Sequence, residues 1–408
     1  MNSIPAYERE PYQTSLEVEI LATGEDSGAT GRAFAVLDDT VLFPEGGGQP
    51  ADHGHLGSIA VLDVRRVGGE IRHYLAAPAA AGPATLHLDW RRRFDHMQQH
   101  TAQHLVTAVA VRLHGWRTTS FHLQPEVCDV ELDAGSTEPR QLEALEEAVN
   151  AEVRAARPVT ARRVSPDEVP RLEVRSRGLP AGHRGDVRLV EIEGVDLNTC
   201  GGTHLRSTAE IETVKLLGAE PARGGTRLRW IAGGRVRRRL AQDEARLAEL
   251  RRLLDTADDK LVSVAGLKLE QLKQASRDAK WLTGRLAESA ADALVSRHET
   301  VAAEHFDGVG AGFLKQVALR FSNSAHPGAA LLTAAGAKGS FFVVAAGSEC
   351  GLDVQRAGRR VAAALDARGG GSGRVFQGKA ESLARRSEAL EVLMRSTATG
   401  APIDDIVL

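Results

Sequence analysis

The 408 residues, 42% hydrophobic and 26% charged, make a chain too long for one hydrophobic core, and they exclude wholesale disorder or a single small module. A net charge of −3 excludes a uniformly basic coat and leaves nucleic-acid binding to local basic faces. Cys128, Cys200 and Cys350 are too few and too scattered for a disulfide framework and fit a reducing, cytoplasmic compartment, while the polar stretch Met1 to Glu17 has no apolar signal core and no run reaches membrane-crossing length.

In chain order, short β-like runs come first: Val18 to Leu21, Ala33 to Leu37, Ile59 to Val64 and Ile71 to Leu75, separated by turn residues such as Gly24 to Gly28. They predict a small β-barrel or meander over residues 1–88. Asp95 to His114 reads as a helix with Leu105, Val109 and Leu113 on one face and His100 and His104 one turn apart, and a second helix is expected from Pro139 to Ala156. After an Arg-, Pro- and Gly-bearing stretch, Val187 to Ile192 is β-like, so residues 89–233 read as an α+β domain. Beyond it, Val236, Leu240, Leu247, Leu250, Leu254, Leu261 and Val264 fall on three- and four-residue steps, interrupted by Asp243 and Gly266. This predicts a helical connector and dimerisation arm over 234–295. Residues 296–408, with β-like Ala329 to Leu332 and Phe341 to Ala346, a helical run from Val354 to Ala367 and a loop from Gly369 to Arg374, read as an α/β domain. The fold class expected for the whole chain is α+β.

The chemistry concentrates in two separated pairs, His100 with His104 and Cys200 with His204. Histidines four apart on one helical face project to a common point, and a thiolate with a histidine four residues later can meet them there as a tetrahedral zinc site. Gly46, Gly47 and Gly48 allow positive backbone dihedrals and close approach to a ligand. Arg91, Arg92 and Arg93, the stretch from Arg171 to Arg188, and Arg235 to Arg239 offer contacts to phosphates.

The strings Asp196-Leu-Asn-Thr-Cys-Gly-Gly-Thr-His204, His100-Thr-Ala-Gln-His104 and Phe43-Pro-Glu-Gly-Gly-Gly-Gln-Pro50 together resemble the editing domain of alanyl-tRNA synthetases and their stand-alone AlaX relatives. Thr119-Ser-Phe-His-Leu123 and Gly224-Gly-Thr-Arg-Leu-Arg-Trp230 resemble that family too, and the Gly-rich segment near Gly371 is similar to the DHH-associated C-terminal domain of the synthetases. Thr199 stands where the family usually has a proline, and Gln124-Pro125 replaces a glycine-bearing turn. With the barrel starting near residue 16 there is no room for a class II aminoacylation domain ahead of it, so the likeness is to the editing half, in the long AlaX form.

The resemblance implies a trans-editing hydrolase that deacylates tRNA(Ala) mischarged with serine or glycine. It implies one zinc per chain on His100, His104, Cys200 and His204, which are also the catalytic residues. Gly46, Gly47, Gly48, Gln49, Thr118, Thr119, Ser120, Gly201, Gly202 and Thr203 would form the aminoacyl pocket, and Arg374 and Lys379 would join Arg91, Arg92 and Arg93 on the tRNA. A homodimer through the connector and C-terminal domain is a further expectation. Zinc could activate water, hold the substrate amino group or polarise the ester carbonyl, and the sequence does not choose. Two other readings stand beside this one: a non-catalytic, zinc-stabilised tRNA-binding module, and a zinc hydrolase of small aminoacyl esters.

Overall fold

The computed structural model describes residues 4–26, 32–175, 185–336 and 339–398, and the chain divides into two compact units, Met1–Glu249 and Leu250–Leu408. In the first, helix α1 (Ala6–Arg9) precedes strands β1 (Ser15–Glu25), β2 (Ala33–Leu37), β3 (Gly54–Leu56), β4 (Ile59–Val67), β5 (Glu70–Leu75) and β6 (Gly82–Leu88). These close into a barrel in the order β1-β2-β5-β4-β3-β6. Alternating positions put Val18, Ile20, Ala35, Leu56, Val61, Val64, Leu75 and Leu86 inside. The turn Gly24 to Gly28 lies partly outside the described residues.

Helix α2 (Trp90–His114) starts five residues before its predicted boundary, because the Asp89 side chain accepts the Arg92 amide at 3.1 Å and caps the first turn. Gly115, at a φ of 72°, ends it in the left-handed conformation. The remaining elements of this unit are β7 (Thr118–His122), β8 (Cys128–Leu132), α3 (Pro139–Arg154), β9 (Val159–Val164), β10 (Val187–Ile192), β11 (Asp196–Thr199), β12 (Val214–Ala222) and β13 (Gly225–Ala232). They form a four-stranded sheet, β12-β13-β8-β7, and a three-stranded one, β11-β10-β9. Leu105, Val106 and Val109 of α2, Leu145 and Val149 of α3, and Val130, Leu228 and Trp230 of the larger sheet share one core.

Helix α4 (Gly234–Leu254) runs across the point where the units divide, and α5 (Leu261–Ser296) follows. The predicted seam is not continuous. Asp255, at a φ of 50°, breaks it between the helices, whereas Asp243 and Gly266 lie within unbroken helix. Leu240 is 70% exposed and Leu250 44%, so these seam positions are not buried. The second unit continues with β14 (Val301–Asp307), α6 (Ala311–Asn323), β15 (Ala329–Gly336), β16 (Gly339–Ala346), α7 (Val354–Ala364), β17 (Arg368–Ser372), β18 (Val375–Ala380) and α8 (Arg386–Ala398). The sheet order is β14-β15-β16-β18-β17, with β14 parallel to β15 and the other pairs antiparallel.

The segment expected as a Gly-rich loop is instead the edge strand β17 and the turn into β18. A Cβ on Gly371 would sit 2.1 Å from the Val375 carbonyl oxygen and one on Gly369 2.5 Å from that of Gln377, so the close pairing of the hairpin requires glycine there. No described helix is long and apolar enough to cross a membrane.

Candidate metal centre

Helix periodicity brings His100 and His104 to one buried face of α2, and the β10–β11 hairpin delivers Cys200 to the same point, tied by its amide to the Arg188 carbonyl at 3.1 Å. Ligand atoms of His100, His104, Cys200 and His204 all lie within 4.8 Å of one another. Cys200 Sγ is 3.4 Å from His100 Nε2 and 3.3 Å from His204 Nε2.

The outer ring nitrogens are each met from behind. His100 Nδ1 is 2.9 Å from Gln49 Oε1, His204 Nδ1 is 3.2 Å from Thr101 Oγ1, and His104 Nδ1 faces Asp196 Oδ2 at 3.3 Å, too oblique for a formal hydrogen bond. With Nδ1 so engaged, the Nε2 atoms of His100 and His204 are turned on the sulfur. Imidazoles oriented in this way by outer partners are the arrangement zinc-binding histidines use. The donor set of three nitrogens and one sulfur, its inter-ligand distances and its burial therefore fit a tetrahedral zinc.

Burial opposes ionisation of the Cys200 thiol, but the His100 and His204 imidazoles beside it hold it well below its usual range. Burial likewise opposes protonation of His104, yet Asp196 and Cys200 raise it to about 9, whereas burial takes His204 down to about 3. The cluster is thus arranged around a thiolate and a compensating positive charge. Asp196, itself held low against the effect of burial by His104 and Arg175, is gripped by the Arg175 guanidinium through two 2.8 Å bonds.

Two residues expected to line the aminoacyl pocket, Gln49 and Gly202, also brace this centre. Gln49 is 1% exposed; its Oε1 accepts from the Thr203 amide at 3.0 Å as well as meeting His100, and its Nε2 donates to Thr203 Oγ1 at 2.9 Å. Gly202 packs so tightly that a Cβ would fall 2.3 Å from His100 Cε1. Gly46 and Gln49 exchange backbone bonds of 3.1 and 3.0 Å around Gly47 and Gly48, at φ 57° and 82°, a type I′ turn that only glycine fills without strain. A Cβ on Gly48 would strike Phe121 at 2.6 Å, and the Phe121 ring lies 6.0 Å from that of His100. Gly201 is exposed at the mouth of the Cys200 turn. Of the predicted hydroxyls, Ser120 donates to Glu131 Oε2 at 2.8 Å and Thr119 to the Glu131 carbonyl at 3.2 Å, while Thr118 Oγ1 is buried with no hydrogen-bond partner among the described residues.

Several arginines face inward. Arg93 is 0% exposed; it donates to Asp52 Oδ2 at 2.8 Å and to the carbonyls of Pro11 and Val41 at 2.8 and 2.6 Å. It locks α2 to the barrel and is removed from the set of phosphate contacts, because a buried guanidinium with satisfied donors cannot reach solvent. Arg188 donates to the Cys200 and Gly202 carbonyls, both at 2.8 Å, and clamps the ligand turn. Arg235 pairs with Asp95 at 2.7 Å, and Arg237, Arg238 and Arg239 each have a carboxylate partner. Arg177 and Arg184 of the expected basic stretch lie outside the described residues. Arg91 remains exposed, Arg92 donates to the Ala51 carbonyl at 3.0 Å, Lys379 is exposed, and Arg374 donates to the carbonyls of Gly347 and Cys350 at 2.7 and 2.8 Å. Sequence reasoning missed Thr101 and the bracing roles of Asp196 and of Arg175 and Arg188, which it had read as phosphate contacts; only the position of Asp196 at the head of the Cys200 motif gave a hint.

The family model for the second additional domain of threonyl and alanyl tRNA synthetases matches residues 187–229, from β10 through the Cys200 turn into β13. The chain is 37% identical over 369 residues to the alanyl-tRNA editing protein Aarsd1 of Danio rerio, covering 88% of this chain and 87% of that one. It is 32% identical over 221 residues to the alanyl-tRNA editing protein AlaX-L of Pyrococcus horikoshii, covering 52% and 53% of the two chains. The C-Ala domain of Aquifex aeolicus alanyl-tRNA synthetase aligns with 24% of this chain and 90% of its own length at 18% identity and a TM-score of 0.23. An identity of this level sustained over both units, and not over the metal-site motifs alone, places the chain in the family of alanyl-tRNA editing proteins.

Proposed function

We propose that this chain is a zinc-dependent deacylase that edits tRNA(Ala) in trans, hydrolysing the ester that joins wrongly attached serine or glycine to the terminal ribose. The carrying observation is the clustering of the three imidazoles and the Cys200 thiol within 4.8 Å of one another, braced to the Gly46–Gln49 turn through Gln49. A synthetase pocket built for alanine cannot strongly reject serine or glycine, so a second, hydrolytic site is the chemical remedy.

In hydrolysis, water adds its oxygen to the acyl carbon, the bond from that carbon to the ribose oxygen breaks, and a proton from the water passes to that ribose oxygen, leaving a free acid and a free hydroxyl. Zinc, when held by His100, His104, Cys200 and His204, supplies positive charge against the oxygen that becomes negative on the way. Gln49, Thr101 and Asp196 keep the imidazoles aimed, so little reorganisation is needed at the moment of reaction. Thr203 Oγ1 accepts from Gln49 Nε2 and has no acceptor for its own proton among the described residues, which makes it the hydroxyl best placed to read a seryl side chain. Gly46, Gly47 and Gly201 leave room for the aminoacyl group beside it, while Gly48 and Gly202 let Phe121 and His100 close in as its walls. Thr118 is a second candidate, since its Oγ1 has no hydrogen-bond partner among the described residues. On the tRNA body, Arg91, Arg92, Arg374 and Lys379 are the proposed phosphate contacts.

Release of serine, glycine and alanine from charged tRNA(Ala), measured with and without chelator, tests the reading. Fast loss of serine or glycine that chelator abolishes is the expected result; full activity in metal-free protein rejects zinc dependence. A second reading draws on the presence of four protein ligands, a closed set typical of structural zinc. In it the chain binds tRNA without catalysis, and a zinc-loaded, tRNA-binding but inactive protein would establish it. The exposed apolar positions on α5 support a homodimer through the connector, to be tested by sedimentation, and the tRNA substrate supports a cytoplasmic location.

A further inference from the structure

The Gly46–Gln49 turn has a second side. It lines a concave pocket of about 520 Å³ with Glu45, Pro50, Arg65 and Arg66, and Gln49 is shared between that pocket and the metal centre. The amides of Gly47 and Gly48 follow one another in left-handed conformation and donate to no backbone carbonyl among the described residues. Successive amides of this kind form an anion-accepting concavity.

The two arginines differ. Arg65 is neutralised by Asp63 at 2.7 Å and lies 3.7 Å from Glu45. Arg66 has no carboxylate partner among the described residues; its guanidinium donates to the Tyr7 hydroxyl at 3.0 Å, and Tyr7 is itself buried edge-on against Phe43. Arg66 is therefore exposed, held in place, and carries uncompensated charge at the rim of a pocket whose far wall touches His100.

We propose that this pocket docks a backbone phosphate at the single-stranded 3′ end of the tRNA, with Arg66 as its cation and the Gly47 and Gly48 amides as its floor. The inference rests on the aminoacyl-tRNA reading above. The ester sits on the terminal ribose, so the nearest phosphodiesters must lie within a nucleotide or two of the metal centre, and a fixed anion site there sets how deeply the 3′ end enters.

The test is equilibrium binding of the full-length, zinc-loaded protein to an uncharged acceptor-stem minihelix, with and without its single-stranded 3′ overhang, at several salt concentrations. Arg66→Ala is expected to weaken binding of the overhanging minihelix about tenfold and to lower the slope of log affinity against log salt by about one. It should leave the blunt minihelix and the zinc content unchanged, and Arg66→Lys should recover most of the loss. Wild-type affinity in Arg66→Ala, or an equal loss on both minihelices, overturns the proposal. Failure of the functional reading would show separately, as a wild-type protein that releases no amino acid from mischarged tRNA.

Discussion

Helix α2 is polar over much of its 25 residues and yet largely buried, including His96, Gln98, Gln99, His100, Thr101, Gln103, His104 and Thr107. Helix α5, at 36 residues, buries only Leu261, Ala287, Ala291 and Leu294 and leaves Val262, Leu267, Leu269, Leu272, Trp281, Leu282 and Leu286 exposed. Hydropathy alone would rank them the other way. A polar side chain can be buried when its polar groups have partners, and α2 finds hydrogen bonds in Gln49, Ala232 and Glu210 and an ionic neighbour in Asp196. An apolar side chain is buried only where a surface covers it, and among the described residues none covers most of α5.

The sharpest way to break this contrast is His104→Ala. It removes a ligand and leaves the Arg175–Asp196 pair facing a void, so we expect loss of bound metal and a fall in deacylation of at least about a hundredfold. Retention of stoichiometric zinc and activity would mean that the polar face of α2 is only packing.

The barrel offers the same lesson without a metal. His73 is 1% exposed, with Nδ1 3.3 Å from the Ala35 carbonyl and Nε2 2.8 Å from Thr40 Oγ1, and burial lowers its pKa to about 4. Above pH 6.5 the ring is neutral folded or unfolded. As pH falls below that, the unfolded chain takes up a proton that the folded one refuses, so stability drops by about 3 kcal/mol and levels off near pH 4. Denaturant midpoints across this range should show the decline in wild type and a weaker one in His73→Gln; parallel curves would contradict it.

Asp196→Asn should reduce zinc affinity about 10- to 100-fold in a chelator competition, because the amide still occupies the space but no longer offers a charge to His104 or Arg175. Unchanged affinity would make Asp196 a structural residue only. The smallest effect is expected for Leu272→Glu, within about 0.5 kcal/mol of wild-type stability, since a 66% exposed side chain has little burial to lose. A large destabilisation would reveal a partner for α5, and a simultaneous loss of dimer in sedimentation would identify it as a second copy.

Local chemistry made much of this molecule legible in advance. Short apolar runs bounded by turn residues announced β2 and parts of β1, β4 and β5, period 3.6 announced α2 and α3, and two Cys/His pairs announced the cluster that could hold a metal, because local backbone geometry sets which side chains share a face. Short strands such as β3, the Gly-built β17 and the edge strand β7 were not legible, since their pairing is decided by partners distant in the chain.

The roles of the arginines were decided by tertiary structure for the same reason. Arg91 and Arg93 are equivalent as letters, but the helix turns one outward and the other onto Asp52, 41 residues away, where its charge is balanced and its donors are satisfied. Sequence determined which groups carry the chemistry and their local spacing. Only the folded chain decided which of them face one another, because the free energy of burying a charge or a polar atom depends on what stands across from it.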